Sequence, residues 1–251
     1  MNFVEGDSVK SGISEAYQQS SLVAAAHELK TPLVLLRQLS FEMFAAEDKT
    51  QQQKIAQRMR LTSERSLRLV DNLTKVSRLD DAMFQLEPVQ LNGLCQEVAN
   101  ELKPLSLALG QEISCQIPLR RPVVAVGSRE ILRSLLIGLT DNALQYNGEN
   151  KAVEISTRIR RFGDQTEAIL AVRDNGPVIE LAEFRKLAET LGQNVAPISS
   201  RPLSSGLGLM IAGKFAQAMG GSLSVQRHHG GGLTLEAHLP VSQQLSLFGA
   251  G

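Results

Sequence analysis

Two stretches that share a four-and-three spacing of apolar residues constrain this chain more than any other feature. In the first, small or apolar side chains recur at Leu22, Ala26, Leu29, Leu33, Leu36 and Met43, and Ser40 is the one polar member. In the second, the step runs through Ile55, Met59, Thr62, Ser66, Leu69, Leu73 and Val76, with a more polar middle. Such a repeat lays its members along one side of an α-helix, and that side needs a partner. The polar AEDKTQQQ between them reads as a hairpin turn. Two antiparallel helices cannot cover two such seams by themselves, whereas two hairpins paired into a four-helix bundle can. The spacing predicts a helical hairpin over 14–86 and a homodimer through 14–80. The alternative is a single hairpin covered by the rest of the chain. Residues 1–13 show no period and read as a flexible lead-in.

At Glu87-Pro88 the pattern changes, because Pro88 stops a helix and favours extended backbone before it. Short strands are expected at 89–91, around Ile113, Cys115 and Ile117, and at 123–126, with a helix over 94–109 between the first two. Ser128 can cap a helix running to Tyr146. A hairpin over 153–172 turns at Gly163-Asp164, a helix covers 179–191, and the proline-bearing 193–205 reads as a mobile loop. A helix over 207–219 precedes a last hairpin, 222–227 and 233–239, turning at Gly230-Gly231-Gly232. The fold class is α plus α/β: a hairpin forming a dimeric bundle, then over 87–241 an α/β sandwich of one mixed, mainly antiparallel sheet and one helix layer. Residues 242–251 form a tail.

Lys plus Arg balances Asp plus Glu at 26 each, which argues against a nucleic-acid-coating surface. Cys95 and Cys115 lack metal-site or CxxC spacing and suit buried thiols in a reducing compartment. No apolar run is long enough to span a bilayer, and no signal-peptide shape is present, so a soluble cytoplasmic chain is expected.

His27 lies one residue past seam position Ala26, about 100° around the helix, so its imidazole reaches solvent at the flank of the bundle. Glu28 is beside it, Thr31 is one turn on, and Pro32 should bend the helix. A neutral imidazole can attack a terminal phosphorus if a base takes its proton, and Glu28 is placed to do so. The order His27, Glu28, Leu29, Lys30, Thr31, Pro32, Leu33 resembles the phosphoacceptor box of sensor histidine kinases. The stretch SERSLRLVDNLTKVSRLD is similar to the second helix of that family. The resemblance implies phosphorylation at His27, a role for Thr31 in positioning water during dephosphorylation of a partner, and a response-regulator receiver domain as that partner. It also allows the chain to be the cytoplasmic part of a membrane-bound sensor.

Three further stretches carry chemistry. In Asp141-Asn142-Ala143-Leu144-Gln145-Tyr146, Asn142 can give its amide oxygen to a Mg²⁺ that bridges phosphates. In Asp174-Asn175-Gly176-Pro177, a strand-end carboxylate can accept from an adenine amino group, and Gly176 lets backbone approach the ring. In Ser205-Gly206-Leu207-Gly208-Leu209, a glycine-rich helix start turns N–H groups toward phosphate. Together they resemble the Asn box and Gly boxes of the ATP-binding fold shared by histidine kinases, Hsp90, type II topoisomerases and MutL proteins. The resemblance implies ATP and Mg²⁺ as cofactors. It implies a nucleotide site of Asn142, Gln145, Tyr146, Asp174, Gly176, Gly206, Leu207, Gly208 and Leu209, with Asn142 as the metal ligand.

The chain departs from the family at three places. Gly138 stands where an Asn is usual, Gln145 where a phosphate-meeting Lys is usual, and Val178 at the second Gly of the first Gly box. These departures keep two alternatives open: a dimeric scaffold without catalysis, and another ATPase of the superfamily. His228, His229 and His238 read as strand or hairpin residues rather than metal ligands. In the tail, Gln244, Leu245, Ser246, Leu247 and Phe248 resemble the short motif by which bacterial proteins dock on the replication sliding clamp, a contact the sequence raises only as an option.

Overall fold

The structure is a computed structural model. It describes residues 5–79, 85–118, 121–148, 151–163, 165–192 and 206–241, with side chains from residue 23 onward. The expected mobile loop 193–205 and the tail motif at Gln244–Phe248 lie outside the described residues. The chain divides into two compact units, Met1–Asp71 and Asn72–Gly251.

The first unit is a helical hairpin. Helix α1 (Glu5–Ala45) is 41 residues long, and α2 (Lys49–Ser77) returns and continues past the division. The backbone is already helical at Glu5, inside the stretch read as a flexible lead-in, because a helix propagates through polar sequence that carries no apolar period. Helix α1 passes through Pro32 as one element. Asp48 caps α2: Thr50 N–H donates to Oδ1 at 3.1 Å and Gln51 N–H to Oδ2 at 3.3 Å. Gln52 Nε2 donates to the Ala46 carbonyl at 2.8 Å and so closes the end of α1.

The buried line of this hairpin is offset by one residue from the expected seam. Leu39, Ala46 and Ile55 form the core, with Met43 and Met59 packed against it. Ser40 is only half-buried and Ala26 is exposed. Leu29, Leu36 and Met43 are flanked by two candidate lines, and α2 takes the one through Ala25, Leu39 and Ala46. The other line stays open, with Leu33 at 60% exposure and Phe44 at 90%, and Phe41, further round the helix, is 67% exposed.

Among the described residues, the second unit holds two sheets rather than the single one expected. Strands β1 (Glu87–Gln90) and β3 (Val124–Gly127) pair antiparallel as a separate ribbon. The main sheet has the order β2-β4-β5-β7-β6, where β2 is Glu112–Gln116, β4 Ala152–Phe162, β5 Gln165–Arg173, β6 Ser222–Arg227 and β7 Leu233–Pro240. Only β2 with β4 is parallel; the other neighbours are antiparallel. Central strand β5 buries every residue from Ala168 to Val172, whereas β4 alternates, burying Val153, Ile155 and Thr157.

Helices α3 (Leu91–Ala108), α4 (Arg129–Tyr146) and α6 (Leu207–Ala218) supply the other layer, and α5 (Leu181–Thr190) leads toward the undescribed loop. In α4, Ile131, Leu132, Leu135, Leu136, Leu139, Ala143 and Leu144 keep the three-and-four spacing and are buried. Cys95 is buried, Cys115 is half-buried, and both are free. Burial pushes the Cys95 thiol up to about 12, with a further rise from Cys115 nearby. His228 and His229 lie in the turn after β6 rather than in a strand. His238, read as a plain strand residue, is a buried junction: its Nε2 is 2.7 Å from Ser224 Oγ and its Nδ1 3.2 Å from Glu167 Oε2.

Candidate functional site

In the first unit, His27 is exposed on α1 and Glu28 beside it is half-buried. Thr31 is exposed, and its Oγ1 donates to the His27 carbonyl at 3.3 Å. Pro32 has no N–H to offer the carbonyl four residues back, so this turn is held differently from the rest of α1. The imidazole can thus meet a reactant from solvent, as its place off the seam implies.

In the second unit, the end of α4 and the turn after β5 come together. Asp174 is buried at 2% exposure. Its Oδ1 accepts from Gly176 N–H at 2.9 Å and from Leu233 N–H at 3.3 Å. Two backbone donors fix the plane of this carboxylate, and a fixed carboxylate is a good acceptor for an exocyclic amine. Gly176 is required by close approach: a Cβ there would lie 2.4 Å from the Tyr146 carbonyl oxygen and 2.8 Å from Asp174 Oδ1. The turn is also held from behind. Gly232 N–H donates to the Pro177 carbonyl at 3.3 Å, and Arg227 Nη1 to the Ile179 carbonyl at 3.0 Å.

Along α4, Asn142 and Tyr146 are half-buried and Gln145 is exposed. The Asn142 amide makes no hydrogen bond among the described residues. No group of three or more His, Cys, Asp or Glu among those residues could hold a metal ion. Asn142 therefore offers one neutral oxygen, which fits a Mg²⁺ whose remaining ligands come from phosphate and water. Gly206 is the N-cap of α6 at φ 81°, in the left-handed region that glycine favours. Gly208 is exposed, with nothing within 4 Å of where a Cβ would stand, so the start of α6 is open. Leu207 and Leu209 are buried, at 0% and 7% exposure. Expected as ligand contacts, they pack into the core, and only their backbone can face a ligand.

Of the departures, Gly138 opens onto empty space, with nothing within 4 Å of a Cβ position, and Val178 is 56% exposed. His228 Nε2 is 2.7 Å from Thr234 Oγ1. Burial lowers the His228 pKa, Arg173 lowers it further, and Asp174 and Glu154 oppose them. Sequence reasoning gives no role to Asn147, Lys151 and Asn175, whose hydrogen bonds tie α4 to the Asp174 turn. The only signal was an Asn directly after the Asn box.

These features resemble those of a histidine-kinase core, and comparison with known proteins finds the same likeness over most of the chain. Residues 127–243 match the family described as histidine kinase-, DNA gyrase B-, and HSP90-like ATPase. Sensor protein CutS of Streptomyces coelicolor is 30% identical over 227 residues, covering 89% of this chain and 53% of that protein. Sensor protein SphS of Synechococcus elongatus is 32% identical over 231 residues, covering 88% and 54%. Sensor protein kinase PmrB of Pseudomonas aeruginosa is 30% identical over 222 residues, covering 87% and 45%. The chain thus spans about half the length of the curated relatives it matches. Among solved structures, Acinetobacter baumannii histidine kinase AdeS has the same fold, with a TM-score of 0.57 at 18% identity, covering 86% of this chain and 98% of that one. Full-length ShkA in complex with AMPPNP gives 0.57 at 21% identity, covering 89% and 46%. No helix among the described residues is long and apolar enough to cross a membrane.

Proposed function

We propose that this chain is the phosphotransfer core of a two-component sensor kinase. ATP binds the second unit, with Asp174 accepting from the adenine 6-amino group, Tyr146 beside the base, and the N–H groups at Gly206–Gly208 facing the phosphates. When bound, Mg²⁺ held by Asn142 and the phosphates neutralises charge on the triphosphate. A neutral His27 nitrogen attacks the terminal phosphorus, the bond to the bridging oxygen breaks, and ADP leaves. Glu28 takes the imidazole proton. A response-regulator aspartate then accepts the phosphoryl group. Thr31 orients water when the phosphorylated regulator is hydrolysed. The hairpin works as a homodimer through 14–80, in the cytoplasm where ATP is supplied.

The observation that carries this reading is the exposed imidazole of His27 within its box on α1. The test is labelling with ATP carrying a terminal radioactive phosphate. Label that is acid-labile, base-stable and absent from His27→Gln is expected. Label surviving acid would contradict the chemistry, and full labelling of Asn142→Ala would contradict the magnesium assignment. A second reading, a scaffold without catalysis, draws on the vacant space at Gly138 and the uncharged, exposed Gln145. It requires that a fluorescent ATP analogue not bind. Sustained ATP hydrolysis without phosphoprotein would instead indicate another ATPase of the superfamily.

A further inference from the structure

We propose that Asn147 is a positioning residue that sets the base-reading turn at Asp174 against helix α4, and so governs discrimination at the 6-position of the purine. The inference rests on the nucleotide reading of this site.

Asn147 follows the last residue of α4 and has extended backbone at φ −64° and ψ 148°. Its side chain spans two segments. Oδ1 accepts from Asn175 N–H at 2.8 Å, and Nδ2 donates to the Lys151 carbonyl at 2.6 Å. One partner is a donor and the other an acceptor, so the amide has a single satisfied orientation. Lys151 completes a ring, because its Nζ donates to the Asn175 carbonyl at 3.1 Å. Asn175 Nδ2 donates to the Ala152 carbonyl at 2.9 Å. The backbone N–H, the backbone C=O and the side-chain donor of Asn175 are therefore all held by residues at the end of α4 or the start of β4.

Asn175 lies directly between Asp174 and Gly176, and Asp174 Oδ1 is itself fixed by Gly176 N–H. A shift of Asn175 moves that carboxylate. Asn142 lies on α4 and Asn147 is the residue that caps its C-terminal end, about 7.5 Å further along the axis. The ring therefore fixes the spacing between the base end and the metal end of a bound nucleotide. A carboxylate so held rewards the 6-amino group of adenine and repels the 6-oxo group of hypoxanthine, and that difference depends on its placement to a fraction of an ångström.

The experiment compares ATP and ITP binding to the full chain, and follows exchange of the Asn175 amide by NMR without nucleotide. Asn147→Ala is expected to speed exchange at Asn175 and to cut the ATP-over-ITP preference about tenfold, mainly through weaker ATP binding. Asn147→Asp keeps an oxygen for Asn175 N–H, so its amide protection is expected to persist. Lys151→Met keeps the backbone contacts and should lower the preference by a smaller factor. If Asn147→Ala fails to fold, the Asp and Met variants carry the test, and an unchanged preference in Lys151→Met would then overturn the proposal. An equal loss for ATP and ITP in Asn147→Ala would mark a merely structural contact and overturn it too. A parent that binds neither nucleotide would overturn the functional reading itself, whatever the amide exchange shows.

Discussion

Gln145→Lys isolates the phosphate end of the nucleotide site. Gln145 is exposed in the last turn of α4, one residue before Tyr146. A cation in the last turn interacts favourably with the helix dipole by about 0.3–1 kcal/mol, so the substitution should not harm the unliganded fold. If this turn faces phosphate, the new ammonium gains a charge-assisted contact of about 1.5–3 kcal/mol. That corresponds to roughly one to two decades in Kd at about 1.4 kcal/mol per decade. Titration calorimetry with ATP and AMP at two ionic strengths reads the effect. ATP affinity should rise, AMP affinity should stay nearly constant, and the gain should shrink with salt, because the contact is exposed. Equal gains for ATP and AMP, or none for either, would refute the assignment of this turn to phosphate.

Gly176→Ala places a Cβ 2.4 Å from a backbone oxygen, and neither Tyr146 nor the turn can yield cheaply. A loss of about 1–3 kcal/mol in stability and more than tenfold in ATP affinity is expected; an unchanged melting temperature would contradict the contact. Gly138→Ala meets nothing within 4 Å, and removing a mid-helix glycine should stabilise by about 0.5–1 kcal/mol in denaturant titration. The lowered pKa of His228 means the unfolded chain binds its proton more readily than the folded one. Its contribution is therefore complete above the ordinary histidine value of about 6.5 and is lost as pH falls through the lower folded value. Denaturation from pH 7 to pH 5 should show that decline, shallower in His228→Asn. The Cys95 thiol, pushed up to about 12, holds roughly a thousandth of the ordinary thiolate fraction at pH 8. Alkylation followed by mass spectrometry should find Cys115 modified first, and Cys95 reacting as fast would contradict its burial.

Period and turn chemistry made most elements legible. Helix α4 ends at Tyr146 and β6 spans Ser222–Arg227 as their spacing implies. What sequence could not give was pairing at a distance. The ribbon of β1 with β3 depends on Val89 facing Ala125 in register, and no local pattern separates it from the main sheet. The bond from Asn147 to Asn175 joins residues 28 apart, and an asparagine reads equally well as a plain helix stop. Leu207 and Leu209 have buried side chains, which their motif alone does not specify. A motif marks a segment, but only packing decides that its backbone faces out and its side chains face in.

The hairpin shows why a seam cannot be resolved from one chain. A heptad has two flanking lines beside its central one, and which is buried depends on where the partner helix stands. Helix α2 takes the line of Leu39 and Ala46 and leaves Leu33, Phe41 and Phe44 in solvent, with Leu67 of α2 at 62% exposure as well. Covering four such side chains is worth roughly 1.5–3 kcal/mol each. That sum is comparable to the whole stability of a small domain, so a lone hairpin forgoes a large part of what could hold it together. The apolar line left open by α2 is thus the physical ground for the proposed homodimer. It also accounts for the one-residue offset: the sequence carries two seams interleaved, one closed within the chain and one left open.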